Sequence, residues 1–108
     1  MADILTRSTG QASTTGTVIY TVPVDGAATI IGCRMTNTTS NVISGCYFTV
    51  AGVQVNGAEL DLIPGSAIDI MAGSKIVAVA GDEVVAYAGT DDSIDVYVSY
   101  LEQTPDAQ

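Results

Sequence analysis

The sequence predicts an all-β fold, a single antiparallel β-sandwich of jelly-roll or immunoglobulin-like type with about seven to nine short strands. One observation is composition: the 108 residues include 13 Val, 13 Thr and 10 Ile, β-branched residues that favour pleated strands over helices. A second is that a glycine recurs every eight residues in the second half, which is typical of turns between short strands. A third is that no window of about 11 residues shows the 3.6-residue period of a helix. The periodic glycines are Gly57, Gly65, Gly73, Gly81 and Gly89.

Each predicted strand is an apolar stretch bounded by turn residues. The first alternates Val18, Tyr20 and Val22 on one face and stops at Pro23, which lacks a backbone N–H. The middle stretches differ too much in sequence to be repeats, which favours a meander or Greek-key arrangement over a solenoid. The last alternates apolar residues at every second position from Ile94 onward. In chain order the predicted strands are 17–23, 28–37, 42–51, 59–63, 67–71, 75–80, 83–88 and 93–102.

The polar segment Thr38–Asn41 predicts a hairpin loop between the second and third of these strands. In a symmetric register, Cys33 lies opposite Cys46 and Ile31 lies opposite Phe48, all on the core face. A disulfide between the two cysteines is therefore geometrically possible. The favoured interpretation is that both are small buried free thiols in a reducing compartment. Two thiols without histidine or further cysteine do not complete the four ligands of a zinc site.

The chain divides into three segments by composition. Residues 1–16 are rich in Thr, Ser and Gly and predict a flexible N-terminal arm. This arm is either a disordered tail or a segment that seats Ile4 and Leu5 against a neighbouring subunit. Residues 17–102 form the β-sandwich domain, and 103–108 a frayed C-terminal tail.

Charge and residue types exclude several classes of function. Three Lys and Arg against 12 Asp and Glu give a net charge of −9, which argues against nucleic-acid or anionic-membrane partners. No stretch has the apolar length of a membrane span, and the N-terminus lacks the features of a signal peptide, so we expect the product in a reducing cytoplasm. Histidine is absent, and there is no Gly-x-Ser-x-Gly elbow or Gly-Lys-Ser/Thr phosphate loop. We therefore expect no enzyme and no catalytic, cofactor-binding or metal-binding residues.

Carboxylates cluster around one predicted turn, at Asp91, Asp92 and Asp95. Loop carboxylates of this kind can bind Ca²⁺, but the spacing matches no dedicated calcium loop. The favoured interpretation is a solvated hairpin tip that keeps a hydrophobic sheet soluble.

Tyrosine provides the best candidates for a binding surface. Tyr97 and Tyr100 lie on opposite faces of the last predicted strand, so at least one points away from the core of this domain. Because tyrosine is enriched at protein interfaces, we group these tyrosines with the apolar and basic residues of the arm. The candidate interface residues are Ile4, Leu5, Arg7, Tyr97 and Tyr100.

The order of several short motifs resembles small virion proteins of tailed bacteriophages, including phages of marine and freshwater hosts. The resemblance covers about residues 17–102, and the specificity lies in the order of weak strand and turn signatures. The motifs are Val18–Pro23, Thr36–Asn37, Ile63–Ser66 followed by Ile68–Ile70, Lys75–Val77, Ala80–Val84 and Val96–Glu102.

The resemblance implies a non-enzymatic β-sandwich that becomes part of a virion assembled in the host cytoplasm. Within that class, the sequence favours a capsid decoration or cement protein, a homotrimer that binds the major capsid protein and stabilises the shell. Alternatives are a neck, tail or fibre-adaptor component, or a β-sandwich that binds carbohydrate or calcium for host recognition.

Overall fold

The computed structural model describes residues 2–55, 60–71 and 75–104, and within them every regular element is a β-strand. The predicted all-β class is confirmed, with ten strand segments close to the expected number. The strands are β1 (Ala2–Gln11), β2 (Thr17–Thr21), β3 (Ala27–Asn37), β4 (Ile43–Val50), β5 (Val53–Gln54), β6 (Leu60–Leu62), β7 (Ala67–Asp69), β8 (Ile76–Val79), β9 (Glu83–Tyr87) and β10 (Ile94–Thr104).

The strands form two antiparallel sheets that pack face to face. Sheet I has the order β1–β10–β3, and both β7 and β8 pair with the far edge of β3. Sheet II has the order β2–β9–β4, and both β5 and β6 pair with β4. The short strands β7 and β8 pair with different parts of β3 and together occupy one position in sheet I. In the same way, β5 and β6 together occupy one position beside β4 in sheet II, so the described strands occupy four positions in each sheet. This order is that of a jelly roll, and it decides between the two sandwich types left open by the sequence.

The core lies between the sheets and is filled by alternate residues of each strand. Cys33 on β3 and Phe48 on β4 are both completely buried, as are Val84 on β9 and Val98 on β10. Because side chains alternate across a strand, the residues between them point outward and form the two outer faces of the sandwich.

The N-terminal segment is part of the sandwich, which corrects the expected flexible arm at 1–16. Residues 2–11 form β1 and pair along their whole length with β10. The long strand β10 has backbone N–H and C=O groups on both sides, and pairing with β1 satisfies those on one side. At the other end, β10 continues to Thr104, beyond the predicted boundary at residue 102. The remainder of the predicted tail, 105–108, lies outside the described residues.

The predicted hairpin between residues 28–37 and 42–51 is wrong, although both strands exist. β3 pairs with β10 in sheet I and β4 pairs with β9 in sheet II, so the loop between them crosses from one sheet to the other. Cys33 and Cys46 consequently face the core from opposite sheets instead of lying side by side on paired strands. Both are buried free thiols.

Register shifts interrupt the strands β2, β3 and β4, and those in β3 and β2 change the alternation that the sequence suggested. An extra residue at Ile31 in β3 turns its side chain outward, so Ile30 takes the core position. A second bulge at Ile19 in β2 leaves Val18 50% exposed, so the prediction that Val18 shares the core face of Tyr20 is wrong.

Turn glycines behave as predicted at two of the periodic positions. Gly65 and Gly81 adopt positive φ, at 75° and 87°. Gly89 serves a different purpose, since its amide donates to the Ser44 carbonyl at 2.7 Å and a side chain there would collide with that backbone. The predicted turn residues Gly57 and Gly73, with the first residue of the strand predicted at 59–63, lie outside the described residues.

Candidate functional site

Tyr97 lies at the centre of the outer face of sheet I and is 45% exposed. Its neighbours along β10, Val96 and Val98, point into the core, and the alternation of the strand turns Tyr97 outward. Across the sheet, Tyr97 lies between Thr9 on β1 and Arg34 on β3.

Both arginines of the chain flank Tyr97. The guanidinium carbon of Arg7 lies 5.9 Å from the centroid of the Tyr97 ring, within range of a cation–π interaction. Arg34 is the direct cross-strand neighbour on the other side. The chain has only three basic side chains and a net charge of −9, and two of the three lie on this surface beside an exposed aromatic ring.

Two carboxylates lie on the same face on the Arg34 side of Tyr97. The Asp95 carboxylate accepts a hydrogen bond from the Gln11 side chain at 3.1 Å. Asp69, the cross-strand neighbour of Arg34, accepts from the backbone amide of Met71 at 3.0 Å and is thereby held in place. A shallow depression of about 540 Å³ lies beside Tyr97. We call this surface the Tyr97 face: Arg7, Thr9, Gln11, Arg34, Thr36, Asp69, Asp95 and Tyr97.

An apolar row crosses the same outer face nearer to the first residues of β1. Four residues lie side by side across the four strands of this face. In order they are Leu5 on β1, Leu101 on β10, Thr29 on β3 and Val77 on β8. The two ends of the row are the most open, with Leu5 70% and Val77 73% exposed. Leu5 and Leu101 lie side by side, whereas the half-buried Thr29 separates Leu101 from Val77. Adjacent apolar side chains that reach solvent, unlike scattered ones, are typical of interaction surfaces. We call these four residues the apolar row.

The structure brings together three of the five predicted interface residues. Leu5, Arg7 and Tyr97 all lie on the outer face of sheet I. Ile4 points to the other side of β1, opposite Glu102, and is 52% exposed. Tyr100 is only 4% exposed and belongs to the core. Its prediction as an interface residue is therefore wrong, because its side chain is not accessible to a partner.

Arg34, Asp69 and Val77 were missed by sequence reasoning. A usable signal existed for Arg34, because it lies between the apolar residues Cys33 and Met35, and alternation turns it outward. No local signal places Asp69 or Val77 next to β3, since β7 and β8 are short segments whose pairing is decided by the fold.

A second pair of tyrosines lies on the outer face of sheet II. The rings of Tyr47 and Tyr87 are neighbours in register on β4 and β9 and stack with centroids 4.5 Å apart and an angle of 9°. Both residues are half-buried, so each offers a partner less accessible surface than Tyr97 does.

The two cysteines are held in the protonated form. Burial, followed by the nearby Asp69 carboxylate, raises the pKa of the Cys33 thiol to about 12. Burial and then Asp61 raise the pKa of Cys46 to about 11. Because the thiolate is the nucleophile and metal ligand, these cysteines act as small apolar core residues at neutral pH.

The acidic turn before β10 is organised by internal hydrogen bonds. The Asp91 carboxylate accepts from the backbone amide of Thr14 at 2.8 Å, which joins this turn to the β1–β2 loop. Asp92 adopts a positive φ of 58° within the turn. Among the described residues, no group of three or more Asp, Glu or Cys side chains is placed to hold a metal ion. The described part of the chain also holds no helix with the length and hydrophobicity to cross a membrane.

The fold and this surface define an antiparallel jelly-roll domain whose first sheet presents an arginine-flanked tyrosine and a row of residues that ends in the exposed side chains of Leu5 and Val77. Comparison of the chain with protein-family models, curated proteins and solved structures gave no match.

Proposed function

We propose that this chain is a non-enzymatic structural protein of a tailed-phage virion, a decoration protein that binds the major capsid shell through the outer face of sheet I. The jelly-roll fold supports this proposal because it is a recurrent architecture of viral capsid proteins, although the same fold also carries other functions. The resemblance in motif order points in the same direction.

The observation that carries the proposal is the composition of the outer face of sheet I. It places Tyr97 and Val77, both accessible to a partner, on one continuous sheet surface. Tyrosine and arginine are enriched among residues that dominate binding energy, and Arg7 and Arg34 lie beside this tyrosine. The shell surface that fits here is therefore apolar at its centre and carries carboxylates for the arginines.

The test is binding to phage particles that lack this protein. Purified chain is mixed with such particles, the mixture is sedimented, and bound protein and the temperature of DNA release are measured. Wild type should bind and raise the release temperature. Tyr97→Ala and Val77→Ser should each bind at least about tenfold more weakly, as expected when a side chain that the partner covers is removed.

The matched control is Val53→Ser on β5 of sheet II, because Val53 is 67% exposed and lies away from the proposed surface. It should bind like the wild type. Wild type that neither sediments with the particles nor raises the release temperature would overturn the proposal. Equal weakening by Val53→Ser would reject sheet I as the binding face.

A neck, tail or fibre-adaptor role uses the same kind of surface, and copy number separates it from decoration. A decoration protein is present in numbers comparable to the shell subunits, whereas a neck or tail ring has the few copies set by its symmetry. Densitometry of stained virion proteins gives this ratio.

The depression beside Tyr97 favours one second candidate, the binding of a carbohydrate on the host surface. Its lining combines an aromatic ring with polar groups of Arg34, Thr36 and Asp95. Binding of the wild type but not of Tyr97→Ala to a glycan array, with no binding to particles, would support this candidate over decoration.

A further inference from the structure

The strand β1 forms an open edge of sheet I. Its ten residues pair with β10 on one side, and no described strand lies on its other side. Natural edge strands are commonly protected by proline, lysine or a bulge, because their unpaired N–H and C=O groups attract further strands. Residues 2–11 contain no proline or lysine, and their register with β10 runs without a shift. The edge is therefore suited to the addition of a strand from another chain.

We propose that β1 pairs antiparallel with β1 of a second copy of this chain, about a two-fold axis that passes beside Leu5. Such an axis, perpendicular to sheet I, places the outer faces of the two copies on the same side and joins them into one continuous sheet. The inference does not rest on the proposed virion function.

Charge complementarity selects the register. With the axis at Leu5, Asp3 of each copy lies opposite Arg7 of the other, so each copy contributes to two ion pairs of opposite charge. An axis at Arg7 would place two guanidinium groups opposite each other. An axis at Thr6 would place Arg7 opposite Leu5 and leave Asp3 opposite Thr9. Of these arrangements, the one centred on Leu5 pairs unlike charges.

Apolar continuity supports the same register. Leu5, which is 70% exposed, would lie against its own copy, and the adjacent Leu101 of each chain extends the contact on both sides. The apolar rows of the two copies thereby join into one row. Ile4, 52% exposed on the inner side of β1, would face Thr6 of the second copy. The loop that leads to sheet II begins after Gln11, at the far end of β1, so it leaves this half of the strand free to pair.

The contact is two-fold and predicts a dimer in place of the trimer expected from the sequence. Light scattering on the purified full chain should give twice the 11.0 kDa chain mass. Arg7→Asp, which places two carboxylates opposite each other, should raise the dissociation constant about tenfold or more. The double variant Asp3→Arg with Arg7→Asp restores unlike pairs and should recover the dimer. A wild-type monomer or trimer at about 100 µM chain, near the concentration at which weak contacts are populated, would overturn the inference.

Cysteine cross-linking tests the register directly. Leu5→Cys places two thiols opposite each other with Cα atoms about 4.5–5.5 Å apart, within disulfide range. Thr9→Cys lies on the same strand and face, but its two copies would be roughly 26 Å apart. Mild oxidation should link Leu5→Cys into a dimer on a non-reducing gel and leave Thr9→Cys monomeric, while the buried native thiols stay unreactive. Equal linking of both variants, or no linking of Leu5→Cys, would reject this register.

Discussion

The rings of Tyr20 and Tyr100 stack across the sandwich with centroids 3.8 Å apart and an angle of 24° between their planes. Tyr20 comes from β2 of sheet II and Tyr100 from β10 of sheet I, so the pair joins the two sheets. Their hydroxyl groups differ: that of Tyr100 lies 2.9 Å from the Ser8 hydroxyl, whereas that of Tyr20 is buried near the Glu102 carboxylate without a well-formed hydrogen bond among the described residues. Burial, and then the Glu102 carboxylate, raise the pKa of Tyr20 well above its usual range.

This asymmetry predicts that removing the Tyr100 hydroxyl costs more stability than removing the Tyr20 hydroxyl. Tyr100→Phe should lower the free energy of unfolding by about 1 kcal/mol, because it loses a hydrogen bond and leaves Ser8 without that partner. Tyr20→Phe should be neutral or slightly stabilising, because it removes a buried polar atom without a well-formed hydrogen bond. Urea unfolding of both variants provides the comparison. A larger loss for Tyr20→Phe than for Tyr100→Phe would contradict it.

Asn37 is completely buried and should be the most sensitive polar residue of the core. Its amide nitrogen donates to the carbonyls of Asn41 and Leu62, each at 2.8 Å, and its oxygen accepts from the amide and hydroxyl of Thr39. Asn37→Asp keeps the shape but turns both donors into an acceptor facing carbonyls, so we expect a loss of about 3 kcal/mol or more.

The matched control for Asn37→Asp is Asn41→Asp, because the Asn41 side chain is exposed and only its backbone takes part in this network. Its effect should stay within about 0.5 kcal/mol. Equal destabilisation by both substitutions would show that the added charge, and not the buried network, determines the result.

The raised pKa of the Cys33 thiol leads us to expect a loss of stability at alkaline pH. Its pKa is raised from 9.0 to about 12, so below pH 9 it is protonated in both the folded and the unfolded state. Above pH 9 the unfolded state loses the proton first, and the free energy of unfolding should fall by up to about 1.4 kcal/mol per pH unit until the folded thiol also titrates. Urea unfolding between pH 8 and 11, roughly the window of this titration, measures the slope.

Cys33→Ala removes the titrating group and should flatten that slope, although the smaller side chain lowers stability at every pH. The difference between the two slopes isolates the Cys33 thiol from the groups that both proteins share, including Cys46, whose pKa is raised to about 11 by burial. Identical slopes would mean that the thiol does not titrate differently in the two states.

Alanine substitutions at Gly16 and Gly52 distinguish the cost of backbone strain from the cost of a steric collision. Both have positive φ, 94° and 79°, so alanine at either position should cost about 1 kcal/mol. At Gly52 the added methyl group meets no atom within 4 Å, whereas at Gly16 it would lie 2.6 Å from the Tyr87 ring. Gly16→Ala should therefore displace Tyr87 from its stack on Tyr47 and cost clearly more.

Thermal unfolding gives the ranking, since 1 kcal/mol corresponds to about 4–8 °C for a domain of this size. Gly52→Ala should lower the midpoint by about that amount and Gly16→Ala by more. A reversed order would show that the loop before β2 adjusts to the methyl group without moving Tyr87.

The alternation of residues along single strands predicted several residues of the candidate site, but not which of them lie together on one face. Alternation along β10 places Tyr97 and Tyr100 on opposite faces, and this is confirmed. It could not decide which of them faces the core, because both faces of the strand carry aromatic and apolar residues. That decision depends on sheet II, whose Tyr20 stacks on Tyr100 and leaves Tyr97 outside.

The sequence by itself determined the strand class and most strand positions, because β-branched residues, period-two alternation and turn glycines act over a few residues. The tertiary structure decided which strands pair, and it placed β3 and β4 in different sheets although a short polar loop joins them. It also turned the Thr- and Ser-rich start of the chain into the edge strand β1. The physical reason is that every strand offers the same backbone N–H and C=O groups, whatever its side chains are. The pairing partner of a strand therefore depends on how the side chains of the whole sandwich pack.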